Sequence, residues 1–464
     1  MNKQICFISN FYLTDIYLEI ARNLASKNID IYWICPNIDD YQRLKNEWGT
    51  EQVLYIGLTA VIDADVKKED FPLDLKAIKS NDLLIRDRIL KFNTGQGSVY
   101  LTKLKYVVYN FFQSNNINCV FSEFTWSHEV IINRICRFVE SCNTSSYNPH
   151  TLRIPQQTFG FFLDEFQSNL SQHKLEGDIS PSMKDRYALS MLDSDKDIPL
   201  PDYLKLNDKI IAKNNKLVYK IIRLINVFVG FVDNEDPTLE TSKLRRIISG
   251  FNVFINAKVY NMIAKVSFVT VKKLPFYLYT LHKQPESSVD VVGKYYDDQL
   301  LNIRNISSQL KDEQYLLVKE HSNAIGDRGY KFYKQLNSYP RVLLIDEKVN
   351  TKVLMELSLG VFTVSGTSAL EASLKSINSY CFSAVYFRHL QTCNVVSLND
   401  FNEQSNCLNS KTDETSHLSN EQFVNTMLKS ACEGIISNPK SDSRCVSAEN
   451  IVSVAGEFYD LIKR

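Results

Sequence analysis

The strongest constraint on this chain is an alternation of short apolar runs with amphipathic helical patterns, occurring in two separate stretches. In the first, Ile5-Cys6-Phe7-Ile8 is apolar at every position, as a strand covered on both faces must be. Ser9-Asn10 then leads into a helical pattern over 13–25, and a second apolar run over 29–34 follows at once. Strand, short polar loop, helix and strand in that order are the signature of a parallel sheet. A further strand is expected over 117–121, before a helix near 127–140. There Ile131, Ile135, Phe138 and Val139 fall at i, i+4, i+7 and i+8 and predict a core-facing stripe.

The second stretch repeats the theme more regularly. Strands are predicted at 315–319, 342–345, 361–364 and 380–382, separated by helices at 330–336, 351–357 and 368–375. A chain of 464 residues exceeds the roughly 250–300 at which one core stops growing, so two domains are expected. The predicted fold is therefore α/β, with two doubly wound Rossmann-like domains facing each other across a cleft. The boundaries read as an N-terminal domain over 1–205, a basic helical segment over 206–275, a C-terminal domain over 276–445, and a last helix over 446–464 that crosses back.

Charge and cysteine usage narrow the classes. Fifty-three Lys and Arg balance fifty-three Asp and Glu, which argues against a nucleic-acid partner. Within 209–283, however, thirteen Lys/Arg face four acids (Asp233, Glu235, Asp236 and Glu240), a net of +9. Aliphatic and aromatic residues interleave with them, which suits either contact with an anionic membrane surface or a solvated helical linker. The ten cysteines form no CxxC pair, so neither zinc nor a disulfide framework is expected. Met1-Asn2-Lys3-Gln4 runs straight into a strand, and the apolar run from Ile221 to Val232 is interrupted by Arg223. It is too short for the ~20 residues of a membrane span, so a cytoplasmic protein is expected. The Asn/Ser/Asp/Glu-rich stretch 399–422 reads as a loop.

Open α/β sheets bind ligands beyond the carboxyl ends of their strands. After the strand at 361–364 comes Ser365-Gly366-Thr367-Ser368-Ala369-Leu370-Glu371. Free N–H groups at such a helix start suit a phosphate, with hydroxyls from Ser365, Thr367 and Ser368, close approach at Gly366, and Glu371 reaching ribose or base hydroxyls. Ser368-x-x-Glu371 also fits a capping box, in which both side chains only satisfy the helix end. Lys319, His321 and Arg328 cluster after the strand at 315–319 and predict a cationic clamp for a nucleotide phosphate. His282 and Gln284, which are further donor-binding candidates, precede a turn at Pro285 that presents Glu286, with Asp290 beyond it. Glu123 directly follows the strand at 117–121, where it serves either as a catalytic carboxylate or as a helix cap.

Gln284-Pro285-Glu286, Tyr315-Leu316-Leu317-Val318-Lys319-Glu320-His321, Gly326-x-Arg328 and Val364-Ser365-Gly366-Thr367-Ser368-Ala369-Leu370-Glu371-Ala372 resemble, in order and spacing, the capsule polysaccharide biosynthesis family. That family includes the Kdo transferases that start the lipid linker of Gram-negative capsules. The resemblance implies a GT-B fold, with the donor nucleotide held by the C-terminal domain and the acceptor by the N-terminal one. It makes Lys319, His321, Arg328, Ser365, Gly366, Thr367, Ser368 and Glu371 donor-binding candidates, and Glu286 the leading catalytic candidate beside Glu123 and Asp290. Ser322 stands where the family has Pro, and Ser287-Ser288 where the Kdo transferases carry an acidic pair.

The expected function is transfer of a sugar, Kdo from CMP-Kdo being one candidate, from a nucleotide sugar to a glycan or glycolipid acceptor. No cofactor or metal is expected; Asp63-Ala64-Asp65 has the letters of an Asp-x-Asp metal motif but no ligand partner near it in sequence. A UDP-sugar 2-epimerase, a glycerophosphotransferase and a non-catalytic capsule assembly or export factor are the alternatives.

Overall fold

The computed structural model describes residues 3–152, 157–174, 181, 183–184, 235–240, 242–396, 417–440 and 442–463. Lys209, Lys213, Lys216, Lys220, Arg223, the apolar run 221–232 and most of the polar stretch 399–422 lie outside the described residues. The chain forms two compact units. Unit 1 comprises 1–165, 169–243 and 427–464; unit 2 comprises 166–168 and 244–426.

Unit 1 is built on β1 (Gln4–Ile8), β2 (Asp30–Cys35), β3 (Val53–Tyr55), β4 (Cys119–Phe121), β5 (Ser145–Leu152), β6 (Thr158–Phe162) and β13 (Cys432–Glu433). Their order across the sheet is β13-β6-β5-β4-β1-β2-β3. β1 pairs in parallel with both β2 and β4, while β6 runs antiparallel to β5 and to β13. The apolar character of β1 has its cause here, since Ile5 to Ile8 are wholly buried. Helix Leu13–Ala25 turns Leu13, Ile16, Tyr17, Ile20, Ala21 and Leu24 inward, the period expected of a helix lying on a sheet. Phe7 gathers the core, with Tyr17, Trp33, Phe121 and Phe458 rings at 5.2, 5.3, 5.4 and 6.1 Å.

Unit 2 is an all-parallel sheet of β7 (Phe276–Thr280), β8 (Tyr315–Lys319), β9 (Val342–Ile345), β10 (Val361–Thr363), β11 (Ser379–Cys381) and β12 (Cys393–Val395), in the order β12-β11-β10-β7-β8-β9. Helices Tyr330–Leu336, Thr351–Leu357 and Thr367–Leu374 lie in the crossovers where the sequence periodicity places them. Tyr277, Phe362 and Tyr380 form an aromatic layer, the last two stacked at 4.6 Å. Both units are therefore doubly wound and Rossmann-like.

Several expectations are corrected. Phe138 is 57% exposed and leaves the predicted stripe, because it is the last helical residue and the Arg137 guanidinium covers its ring at 5.0 Å. The boundary expected at 206 lies outside the described residues, and the two units divide the rest at other points than 276 and 445. Helix Lys243–Met262 delivers Tyr260 into the unit 2 core against Tyr333, so it is not a separate linker. Residues 427–464 return to unit 1, where β13 extends the sheet and helix Ala448–Lys463 lays Phe458 against Phe121 at 4.5 Å. Periodicity marks a buried face but not the partner that buries it. Among the described residues all nine cysteines are free thiols.

Candidate functional site

In unit 1 the chain winds from β1 to β2 and β3 on one side, then returns on the other side as β4. The switch point lies between β1 and β4, where an open sheet leaves a crevice beyond its strand ends. β1 delivers Ser9-Asn10-Phe11-Tyr12 to it, and β4 delivers Ser122-Glu123-Phe124-Thr125. Asn10 Nδ2 donates to Glu123 Oε2 and to Glu129 Oε1, both at 3.1 Å. The Tyr12 hydroxyl donates to Glu123 Oε1 at 3.2 Å. Glu129 Oε2 accepts from Thr125 N at 2.7 Å and Trp126 N at 3.0 Å, so Glu129 is the acid that caps helix Ser127–Phe138. The capping alternative for Glu123 is thereby removed.

Burial, with the Glu129 charge next in importance, pushes the Glu123 carboxyl from its ordinary 4.5 up to about 7. Hydrogen bonding from Tyr12 and the Arg88 charge act the other way without cancelling it. Phe11 and Phe124 flank the pair with φ of 42° and 55°, a left-handed backbone that bulky residues rarely adopt. Phe11 is 49% exposed, its ring 5.9 Å from Trp126, whose other neighbour is the Arg88 guanidinium at 4.9 Å. Ser122 Oγ and His128 Nε2, both buried, have no hydrogen-bond partner among the described residues.

Unit 2 repeats the winding. β7 leads to β8 and β9 on one side, and β10 returns on the other, so the switch point lies between β7 and β10. His282 follows β7, and its Nε2 lies 2.7 Å from Thr363 Oγ1 and accepts from Val364 N at 3.3 Å. Burial first, then the His321 and Arg328 charges, push the ring down to about 3, so it is neutral at physiological pH. Gln299 brackets the same residue, with Oε1 accepting from His282 N at 2.8 Å and Nε2 donating to His282 O at 3.2 Å. Gln299 Nε2 also reaches Gln284 Oε1 at 3.2 Å, and Gln284 Nε2 donates to Asp290 Oδ1 at 3.1 Å.

The predicted cations are gathered at this end of the sheet but engaged by the protein. Arg328 donates to Glu320 Oε1 at 2.6 Å and to the His282 carbonyl oxygen. Glu320, wholly buried, also accepts from the Tyr333 hydroxyl at 2.7 Å. Lys319 donates to the Glu347 carbonyl at 2.7 Å, and burial lowers its pKa. His321 Nδ1 accepts from Asn323 N at 3.2 Å, and burial likewise lowers that ring. Each of the three is tied to its own protein partner, so they do not stand as an open clamp.

The helix start at 365–368 is different. Its N-cap is Gly366, with no side chain capping it, and Ser368 Oγ lies 3.0 Å from Thr280 Oγ1. Ser368 is the second helical residue, so it is not the N-cap that the predicted capping box requires; the helix begins two residues earlier than that box needs. Ser365 Oγ donates to the Ser288 carbonyl at 2.6 Å, tying the helix start to the turn after His282. Residues 365–368 and Glu371 are all partly exposed. Gly366 is needed for a close approach inside the protein, since a Cβ there would stand 2.6 Å from Thr363 Oγ1 and 3.0 Å from His282 Cε1. Glu286, half-buried, accepts from Ser288 Oγ at 2.8 Å, while its own N donates to Asp290 Oδ2 at 3.0 Å. Asp290 thus acts on the turn backbone.

Sequence reasoning missed Asn10, Tyr12, Glu129, Gln299, Glu320 and Thr363. Asn10 was findable, because it follows β1 as directly as Glu123 follows β4. Gln299 carried no signal, since it acts across a loop on the His282 backbone, whereas Glu129 stands three residues after the Trp126 N-cap, the spacing of a capping box.

No family model matches the chain, and no curated protein does. Among solved structures it is similar to the beta Kdo 2,7 transferase KpsC of Thermosulfurimonas dismutans, at 7% identity over 100% of this chain and 99% of that one, with a TM-score of 0.39. It is also similar to UDP-GlcNAc 2-epimerase from Neisseria meningitidis bound to UDP-GlcNAc, at 11% identity over 100% of both chains and a TM-score of 0.27. A glycosyltransferase from Rickettsia africae matches at 11% identity over 100% and 99%, with a TM-score of 0.26. At these scores the likenesses decide nothing, and the fold class follows from strand order alone. The chain is a two-unit α/β protein with a polar constellation at the switch point of each sheet.

Proposed function

We propose that this chain is a GT-B glycosyltransferase, moving a sugar from a nucleotide-sugar donor to a glycan or glycolipid of a bacterial capsule or other surface polysaccharide. The observation that carries the reading is Glu123, a carboxylate at a switch point whose pKa of about 7 matches that of a general base at neutral pH. In this reading Glu123 takes the proton of the acceptor hydroxyl, and Tyr12 and Asn10 hold its two oxygens in place. Phe11 offers aromatic surface to the apolar face of an acceptor sugar, with the buried Trp126 behind it. Glu286 and Asp290, both engaged in shaping the turn after His282, position the donor side.

The donor binds unit 2. Its phosphates lie on the uncapped start of helix Thr367–Leu374, where backbone N–H groups and the hydroxyls of Thr367 and Ser368 stabilise the charge that develops as the nucleotide leaves. The reaction in this reading draws on no metal or resident cofactor. Kdo is one candidate sugar, and the basic stretch of 242–283 is a candidate contact with anionic lipid. No helix among the described residues is long and apolar enough to cross a membrane.

A thermal-shift screen against CMP, CDP, UDP, GDP and their sugar nucleotides tests the reading. A ligand at 100 times its Kd adds about 2.7 kcal/mol of stability. A shift with CMP-sugars supports a Kdo-like donor, and a shift with UDP- or GDP-sugars keeps glycosyl transfer while discarding Kdo. No shift with any of them overturns the proposal.

A further inference from the structure

Away from both switch points, three side chains from distant parts of the sequence converge in unit 1. His173 lies beyond β6, Cys432 in β13 and Glu457 in helix Ala448–Lys463. His173 Nε2 is 3.4 Å from Cys432 Sγ and 3.9 Å from Glu457 Oε2, and all three atoms lie within 4.8 Å of one another. Around a tetrahedral ion with metal–N near 2.0 Å and metal–S near 2.3 Å, neighbouring ligand atoms stand about 3.3–3.6 Å apart. The N···S separation already has that value, while the N···O separation of 3.9 Å and an S···O separation within 4.8 Å require the carboxylate to turn toward the pair.

The surroundings orient the three atoms for the same purpose. His173 Nδ1 lies 3.3 Å from the Ser171 carbonyl, which keeps the hydrogen on Nδ1 and turns the Nε2 lone pair toward the sulfur and the carboxylate. Lys174 Nζ and Glu433 N both donate to Glu457 Oε1, at 2.6 and 2.9 Å, so that Oε2 is the oxygen that faces the ring. Imidazole nitrogen, carboxylate oxygen and sulfur would otherwise share a single thiol hydrogen. His173 and Cys432 are buried, while Glu457 is partly exposed and gives an ion access.

We propose that His173 Nε2, Cys432 Sγ and Glu457 Oε2 bind one zinc ion, with water as the fourth ligand. Thiolate with imidazole and carboxylate selects zinc over magnesium or calcium. Binding displaces the Cys432 thiol hydrogen as a proton to solvent. The ion fastens the returning C-terminal segment to the unit 1 sheet, a structural role apart from glycosyl transfer. No spacing motif announces it, because His173 and Cys432 are 259 residues apart.

Elemental analysis of the full-length protein, incubated with zinc and gel-filtered, tests the site. One zinc per chain is expected, falling close to none in both Cys432→Ser and Glu457→Gln. Cobalt in place of zinc should give a thiolate-to-metal charge-transfer band that Cys432→Ser abolishes. Should Cys432→Ser not fold, Glu457→Gln and the cobalt spectrum of the unaltered protein still decide. Wild-type protein that retains no zinc, or zinc undiminished in the folded variants, overturns the proposal and leaves the Lys174–Glu457 ion pair as the whole account of the cluster.

Discussion

Where β1 and β4 part in unit 1, burial pushes a carboxyl up to about 7; where β7 and β10 part in unit 2, burial pushes an imidazole down to about 3. The physical cause is one and the same, since an apolar surrounding disfavours whichever form is charged. The consequences are opposite. Glu123 is brought to the pH at which it can exchange a proton, whereas His282 is fixed as a neutral ring bracketed by Thr363, Val364 and Gln299. In the proposed reading one switch point serves proton transfer and the other holds a ligand in place. The same topology can serve either end, and the partners around the titratable group decide which.

The sharpest way to break this contrast is to neutralise Glu123. Glu123→Gln should lower kcat/KM by a factor on the order of 10²–10⁴, the usual contribution of a positioned base, while leaving nucleotide affinity unchanged. Steady-state kinetics beside calorimetric titration with the nucleotide that passes the thermal screen separates the two quantities. An equal loss of affinity would place Glu123 in donor binding instead.

Unit 2 should answer to structural damage. Arg328→Met leaves Glu320 buried without its partner and should destabilise the protein by about 3–5 kcal/mol in urea unfolding. Pairing it with Glu320→Gln should recover most of that loss, because the uncompensated charge is gone. Glu123→Gln should do the opposite and stabilise. Its carboxyl holds a proton more tightly in the fold than in the unfolded chain, so ionising it between 4.5 and about 7 weakens folding. The variant should therefore gain about 3 kcal/mol over wild type at pH 8 and nothing at pH 4.

Smaller effects sharpen the picture of the donor end. Gly366→Ala should cost about 1–3 kcal/mol, since its Cβ would crowd Thr363 and His282, and should weaken nucleotide binding with it. Ser365→Ala should cost only about 1 kcal/mol, one hydrogen bond to the Ser288 carbonyl, in the same unfolding assay.

Much of the fold was legible because its causes are local. Apolar runs such as 315–319 and the helical pattern at 13–25 define β8 and helix Leu13–Ala25 to the residue. What the sequence hid depends on distant partners. Nothing near Phe458 says that it packs on Phe121, nor near Tyr260 that it joins Tyr333. At the sites, the rule that function gathers beyond strand ends pointed to Glu123 and 365–368 as candidates. It could not say that Arg328 and Lys319 are engaged by Glu320 and the Glu347 carbonyl, nor that Glu129 takes over the helix cap. Residue type announces a charge, but only the assembled surroundings decide whether that charge is available.

The most direct test of this account is an infrared titration of the protonated-carboxyl C=O band, recorded as the difference between wild type and Glu123→Gln from pH 4 to 9. A single carboxyl that loses its proton with a midpoint near 7, and is missing from the variant, is the predicted result. A difference spectrum with no protonated carboxyl above pH 5.5 would contradict it, and would leave Glu123 an ordinary ionised side chain at the end of β4.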